Sequence, residues 1–170
     1  MTVERMFLAV TPPAEVISAI SDLPTKALRG VKYTKRSQWH ITLRFLGDCE
    51  RHEALEALER FTAPATQVTL GPEVSLLGSR VVMLPVAGLD DIAAAASQEF
   101  ASVGEAADRD FEGHITLARL KGRPLRDPSL VSFLGAPFSA TFAASSVGLW
   151  KSELGPDGAT HTLVASQELS

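Results

Sequence analysis

The chain has 170 residues, of which 45% are apolar and 21% charged, and these proportions are typical of one globular domain. Its single cysteine, Cys49, excludes an internal disulfide and favours a reduced, cytoplasmic protein. The net charge of −4 argues against a protein that holds long nucleic acid mainly through its phosphates. It favours a short substrate or the end of a chain.

The first apolar run, Met6–Val10, predicts a buried strand. We expect no signal peptide, because the run is short and acidic Glu4 precedes it. We also expect no membrane partner, because the longest uncharged stretch, 128–150, contains prolines, glycines and serines. A helix is predicted after two prolines and before Pro24, and its apolar face consists of Val16, Ile17 and Ile20.

Six basic residues and no acidic residue lie between Asp22 and Asp48. They are Lys26, Arg29, Lys32, Lys35, Arg36 and Arg44. This segment is either a solvated basic loop or an anion-attracting rim that leads into His40. The sequence leaves both interpretations open.

Further helices are predicted in both halves of the chain. Asp48 is the predicted N-cap of a helix whose apolar stripe is Ala54, Leu55, Leu58 and Phe61. The second half carries the same spacing at Leu89, Ile92, Ala93, Ala96 and Phe100. A short helix over 128–134 and a final strand near 160–165 complete the prediction, which is an α+β fold.

Two segments of the chain nearly repeat each other: His40-Ile41-Thr42-Leu43 and His114-Ile115-Thr116-Leu117. Strand-like runs keep register with both copies. Leu8 precedes the first histidine by 32 residues, and Leu84 precedes the second by 30. Apolar runs also begin 34 and 33 residues after them, at Val74 and Val147. The pattern indicates an internal duplication and predicts that residues 1–170 form one domain of two pseudo-symmetric lobes.

On a strand, residues i and i+2 lie on one face about 6.6 Å apart, so each histidine shares a face with the threonine two residues later. A pseudo-twofold would place the two His/Thr faces opposite each other across a cleft. One imidazole could then accept a proton from an attacking oxygen while the other donates to a departing one. The threonine hydroxyls could donate hydrogen bonds to non-bridging phosphate oxygens. No metal-ligand spacing accompanies the histidines.

These paired tetrads, within Trp39–Gly47 and Phe111–Arg119, resemble those of the 2H phosphoesterase superfamily. Within it the chain is most similar to the RNA 2′,3′-cyclic phosphodiesterases, historically called 2′-5′ RNA ligases. The resemblance implies a bilobal fold with two antiparallel sheets lining a central cleft, helices on the outer faces, and no cofactor. It implies that a terminal 2′,3′-cyclic phosphate is hydrolysed to a 2′-phosphomonoester.

The resemblance also implies residue roles. His40 would be the proton donor and His114 the proton acceptor, although the repeat makes the two sites nearly equivalent. Arg119 matches an arginine that often follows the second tetrad and would contact substrate. Strict alternation places Arg119 on the face opposite His114, so its reach into the cleft requires a bulge or the strand's end.

Two positions depart from the family pattern. Gly113 stands where relatives often have proline, and near the C-terminus, where relatives tend to have an aromatic residue after a glycine, this chain has Gly158-Ala159-Thr160-His161. Other candidates are assigned to packing or to the surface. His52 is expected on the surface, and Trp39 in packing. Phe7 and Phe45 are expected in the core, with stacking on a nucleobase as the alternative.

The repeated histidine–threonine pattern predicts phosphoesterase chemistry, and the resemblance implies an RNA 2′,3′-cyclic phosphodiesterase acting on RNA ends. One alternative is the same chemistry on a 2′-5′ oligonucleotide, a small cyclic nucleotide or an ADP-ribose cyclic phosphate. Another is a non-catalytic nucleotide-binding module, which has no need of two opposed histidines. The sequence does not reveal the oligomeric state, and a monomer is favoured as the default.

Overall fold

The computed structural model describes residues 2–121 and 133–170, and it shows the predicted α+β fold. Its helices are α1 Ala14–Ser21, α2 Arg51–Arg60 and α3 Asp90–Glu99. The strands of the first half are β1 Val3–Val10, β2 Val31–Tyr33, β3 Ile41–Glu50, β4 Thr66–Leu70 and β5 Ser75–Leu77. The strands of the second half are β6 Val81–Ala87, β7 His114–Leu120, β8 Ala140–Ala144, β9 Ser146–Gly155 and β10 Gly158–Glu168.

The strands form an antiparallel sheet in the order β10-β9-β1-β3-β7-β6-β4-β8, with β2 added to β7 and β5 to β6. The two histidine-bearing segments lie at its centre, where β3 and β7 meet through one register pair, Ile41 opposite Ile115. The two sheets that were expected are therefore continuous, and the pair of Ile41 and Ile115 connects them into one sheet. Both isoleucines are fully buried.

The strand pairings of the two halves correspond. β3 pairs antiparallel with β1, and β7 pairs antiparallel with β6. A later strand of each half then pairs with the other half. β5 of the first half pairs with β6 of the second half, and β9 of the second half pairs with β1 of the first. The sequence spacing predicted equivalent runs at Val74 and Val147, and these are the runs that make the two crossed pairings.

The core lies between the sheet and the helices. Met6–Val10 of β1 is buried throughout because strands flank it on both sides. The helices place their predicted stripes against the sheet, with Val16 and Ile20 buried on α1 and Ile92, Ala93 and Ala96 on α3. Phe61 and Phe100, at the ends of α2 and α3, are buried with ring centroids 6.5 Å apart. No helix of the described residues is long and apolar enough to span a membrane.

One prediction about the first half is wrong, and one strand of this half has no counterpart among the predicted elements. Asp48 is not a helix N-cap: it pairs with Arg5 inside β3, and α2 begins three residues later, after Glu50. The strand pairing with β1 continues past Asp48 and outweighs its capping preference. The strand β4 was not anticipated, because its sequence TQVTL is largely polar. The predicted helix over 128–134 lies mostly outside the described residues, which resume at 133.

Each central strand carries a bulge at the same distance from its histidine. In β3 the register passes from Ala9 opposite Thr42 to Leu8 opposite Arg44, so Leu43 has no partner. In β7 it passes from Met83 opposite Thr116 to Val82 opposite Ala118, so Leu117 has none. A bulge inserts one residue and reverses the alternation beyond it. Residues five positions after each histidine therefore return to the histidine's face.

Candidate active site

The residues singled out from the sequence line one cleft of about 310 Å³ at the centre of the sheet. Its lining includes all five of them: His40, Thr42, His114, Thr116 and Arg119. Both histidines and both threonines are half-buried. Their side chains are thus held by the protein yet open to a ligand.

Both imidazoles are anchored in the same way. Nδ1 of His40 lies 2.6 Å from the carbonyl oxygen of Gln38, and Nδ1 of His114 lies 2.7 Å from that of Glu112. A carbonyl oxygen only accepts, so Nδ1 must carry the proton in each ring. Each anchor comes from the residue two positions earlier in the chain. The neutral tautomer therefore leaves Nε2 of both rings unprotonated and able to accept a proton.

Thr42 contacts the Nε2 atom of the histidine in its own tetrad. Its Oγ1 lies 2.9 Å from Nε2 of His40. Because Nε2 carries no hydrogen in the neutral ring, the hydroxyl donates this bond. A phosphate oxygen entering the cleft would compete for the same hydroxyl. The threonine can therefore exchange one acceptor for another as substrate arrives.

Arg119 reaches the cleft by the bulge that the sequence analysis required. Leu117 and Ala118 are both buried, and Arg119 is exposed beside the histidine-bearing face. The corresponding residue of the first half is Phe45, five positions after His40, whose ring is 39% exposed. Its exposure departs from the expected core packing. The equivalent positions of the two halves thus carry a cation and an aromatic ring.

His40 lies in a cluster of rings. The Phe7 ring is 4.8 Å from it and the His161 ring 5.3 Å, and Phe7 and His161 are 5.0 Å apart. Burial lowers the pKa of His40 to about 4, with smaller contributions from the charges of His161 and His114, while the bond to Gln38 opposes the shift. Burial also lowers the pKa of His161. In the free cleft at neutral pH, His40 is therefore uncharged.

Further residues line the cleft beside the five already named. His161 contributes a third imidazole, and Lys32 and Lys35 contribute charge. The two lysines belong to the basic run, for which a rim leading into His40 was one of the two interpretations. The side chain of Gln38 donates to the carbonyl of Ala159, which ties the segment before His40 to the β9–β10 hairpin. No sequence pattern indicated this long-range bond.

Other candidates lie where the sequence analysis placed them. Cys49 is buried, and burial raises its pKa to about 11, so its thiol is a poor nucleophile. His52 is exposed on α2 beside Glu56. Trp39 is half-buried against the core. Within 2–121 and 133–170, no group of three or more His, Cys, Asp or Glu residues is arranged to hold a metal ion.

Gly113, which precedes the second histidine, is required by close backbone approach. A Cβ at this position would lie 2.5 Å from the carbonyl oxygen of Val86 and 3.4 Å from the Phe111 ring. The Gly113 carbonyl in turn accepts a hydrogen bond from the Val86 amide at 2.9 Å. A side chain here would push apart the start of β7 and the end of β6, which together position His114.

Two proteins of known name match almost the whole chain, and a solved structure shares its fold. The chain is 29% identical to the RNA 2′,3′-cyclic phosphodiesterase of Methanothermobacter thermautotrophicus, covering 93% of this chain and 95% of the relative. It is 22% identical to the protein of that name from Methanocaldococcus jannaschii, covering 94% and 98%. The crystal structure of E. coli LigT complexed with 3′-AMP superposes with a TM-score of 0.81 over 99% of both chains at 24% identity, so the fold is shared.

The family comparison covers most of the chain. The model of the 2′-5′ RNA ligase superfamily matches residues 11–156, a span that contains both histidine tetrads and Arg119. The chain therefore belongs to the 2′-5′ RNA ligase superfamily of 2H phosphoesterases and is an enzyme of that type.

Proposed function

We propose that this enzyme hydrolyses a terminal 2′,3′-cyclic phosphate of RNA to a 2′-phosphomonoester with a free 3′ hydroxyl. The observation that carries the proposal is the matched pair of imidazoles. Both hold Nδ1–H on a backbone carbonyl, and both line one cleft together with the threonines and Arg119. The names of the two archaeal relatives support the same substrate.

In the proposed reaction, water attacks phosphorus opposite the 3′ oxygen. Nε2 of His114 accepts a proton from the water as its oxygen bonds to phosphorus. The bond from phosphorus to the 3′ oxygen breaks, and Nε2–H of His40 gives that oxygen its proton. The products are the 2′-phosphomonoester and the free 3′ hydroxyl. A second proton transfer between solvent and the imidazoles restores both rings.

The remaining cleft residues would stabilise the charge that gathers on the non-bridging oxygens. The Thr42 and Thr116 hydroxyls line the cleft and can donate hydrogen bonds to these oxygens. Arg119 also lines the cleft, and its guanidinium is always charged. Donors positioned before the reaction stabilise such charge without reorganising during it. The roles of these residues rest on their shared cleft and on the family resemblance.

A proton donor must be protonated when substrate is bound, and the low pKa of His40 adds a condition. In the empty cleft its pKa is about 4, so the ring holds no proton at Nε2 at neutral pH. A bound cyclic phosphate brings a negative charge beside the ring, and an opposite charge raises the pKa of an imidazole. Substrate binding thus favours the donor form of His40, in which Nε2 carries a proton, whereas the empty cleft favours the neutral form.

The experiment that tests the function is product analysis with chelator present. Purified protein with EDTA should convert adenosine 2′,3′-cyclic phosphate, or an oligonucleotide that ends in it, to the 2′-phosphate. Chromatography against authentic 2′- and 3′-phosphates identifies the isomer. Formation of the 3′-phosphate would contradict the proposed bond cleavage. Nucleotide binding without turnover would favour the non-catalytic alternative, and turnover of 2′-5′ oligonucleotides alone would change the substrate class.

Replacing Arg119 by glutamine should raise KM about tenfold, because a charged hydrogen bond to phosphate contributes about 1.5–3 kcal/mol and the glutamine amide replaces part of it. Steady-state kinetics on the cyclic nucleotide measure the change. Lys121→Gln is the matched control, since Lys121 is an exposed cation two residues along the chain that does not line the cleft. An unchanged KM in Arg119→Gln would remove Arg119 from substrate binding.

A further inference from the structure

Two grooves of opposite charge meet at Thr42 and His114. The cleft described above carries the cations Lys32, Lys35 and Arg119 against one acid, Asp157. A second groove of about 370 Å³ shares Thr42 and His114 with the cleft and runs to the other side. The acids in its lining are Glu105, Asp108, Asp110 and Glu112, and the cations are Arg44 and Arg109. We call the first the basic cleft and the second the acidic groove.

The charge of the basic cleft exceeds what the proposed reaction needs. The reacting phosphate is served by Arg119, two imidazoles and two hydroxyls. Lys32 and Lys35 are additional, and Lys32 stands directly opposite Arg119 in the β2–β7 pairing. Residues at such a pair have Cβ atoms about 4.5–5.5 Å apart, and like charges there are destabilising. An anion bound between these side chains would relieve that repulsion.

Protein carboxylates do not neutralise this pair within the described ranges. The ion pairs found in 2–121 and 133–170 involve other basic residues: Arg51, His52, Arg60, Arg109 and Lys151. Arg44, the basic residue nearest to the tetrad in sequence, is buried and bonds the carbonyls of Phe45 and Glu105. The excess charge facing the cleft is therefore that of Lys32, Lys35 and Arg119.

We propose that Lys32 and Lys35 form a subsite for a second phosphate, the one on the 5′ oxygen of the terminal nucleoside. The preferred substrate is then an RNA end of at least two nucleotides, and a lone nucleoside cyclic phosphate is the poorer one. This inference rests on the proposed function, because it assumes that the reacting phosphate lies at the histidines. The acidic groove supports this path for the RNA chain. Its carboxylates repel the phosphodiester backbone, so the rest of the RNA extends from the histidines through the basic cleft.

Binding measurements test the subsite without requiring turnover. Isothermal titration calorimetry compares adenosine 2′-monophosphate with adenosine 2′,5′-bisphosphate, which differ by the 5′ phosphate alone. We expect the bisphosphate to bind at least about tenfold more tightly at low salt, with a steeper loss of affinity as salt rises. In Lys32→Gln/Lys35→Gln that advantage should fall towards onefold. Equal affinity of the two nucleotides for the natural chain would overturn the subsite.

A comparison of kcat/KM for three substrates then identifies the substrate class. These are adenosine 2′,3′-cyclic phosphate, the same compound with a 5′ phosphate, and the dinucleotide ApA ending in the cyclic phosphate. Both compounds with a second phosphate should show a kcat/KM at least about tenfold higher. If only the dinucleotide is favoured, recognition is of base or sugar and the inference is wrong. If no compound is turned over, the proposed function fails, whereas the binding comparison still decides the subsite.

The control must remove the same charge from the same segment. Lys26→Gln/Arg29→Gln removes two cations from the basic run at exposed positions that do not line the cleft. This variant should keep both the affinity ratio and the kinetic ratio of the natural chain. A matching loss in the control would show that net charge alone steers the substrate, and would overturn a specific subsite.

Discussion

Replacing His40 or His114 by alanine should lower kcat about 10²–10⁴-fold, because each replacement removes one general acid–base step of the proposed mechanism. The anchored Nδ1–H of each ring leaves Nε2 as the only nitrogen that can exchange a proton with substrate. Steady-state hydrolysis of adenosine 2′,3′-cyclic phosphate measures the loss. The double replacement should lower kcat by less than the product of the two single fold-decreases, since the two groups act in one transition state of the proposed mechanism.

His52→Ala is the matched control for these variants. His52 is exposed on α2, where it contacts only Glu56 among the interactions of the described residues. It should retain full activity. Far-ultraviolet circular dichroism of all variants would show that the sheet persists, since the alanine side chains fit the half-buried positions. Full turnover by the double variant would refute the two-histidine mechanism.

The stability of the free enzyme should fall between pH 7 and pH 5, and His40 should account for about 2 kcal/mol of the loss. Its pKa is about 4 in the folded state and about 6.5 in the unfolded chain. Between these values the unfolded chain binds a proton that the folded protein does not. Acidification therefore favours unfolding, and the loss levels off only below the folded pKa of about 4. Urea unfolding at several pH values measures it.

His40→Asn isolates this contribution, because the amide can still donate to the Gln38 carbonyl but does not titrate. The free energy of unfolding of the variant should depend less on pH over this window. His161 has a lowered pKa as well, so part of the acid sensitivity should remain in the variant. A His40→Asn curve parallel to the natural one would contradict the burial of an uncharged His40.

The proposed second-phosphate subsite and the low pKa of His40 have related consequences. Anions that fill the basic cleft bring negative charge close to His40, which raises its pKa. Activity should therefore depend on occupation of the cleft as well as on the imidazoles. The segment that carries Lys32 and Lys35 also carries Gln38, whose carbonyl holds His40 and whose side chain binds Ala159. One short stretch of chain thus supplies both charge and alignment.

Most of the fold could be predicted from the sequence, because the spacing of apolar residues indicates which face of each strand or helix is buried. The run Met6–Val10 became a central strand, and the helical stripes around Ala54 and Ile92 became buried faces. The predicted N-cap at Asp48 is wrong because a local capping preference is weak compared with the strand pairing of Asp48 with Arg5. β4 was missed because an antiparallel strand with one exposed face needs few apolar residues, and only Val68 and Leu70 are buried in it.

The sequence by itself determined the chemistry-bearing pair. A histidine and a threonine two residues apart share a strand face whatever the rest of the fold does, and the repeat of that pattern predicted two such faces. Tertiary structure alone decided what faces them. The bulge at Leu117 turned Arg119 into the cleft, and the β9–β10 hairpin brought His161 against His40. Both depend on pairing between distant segments, and spacing along the chain does not encode the register of such pairs.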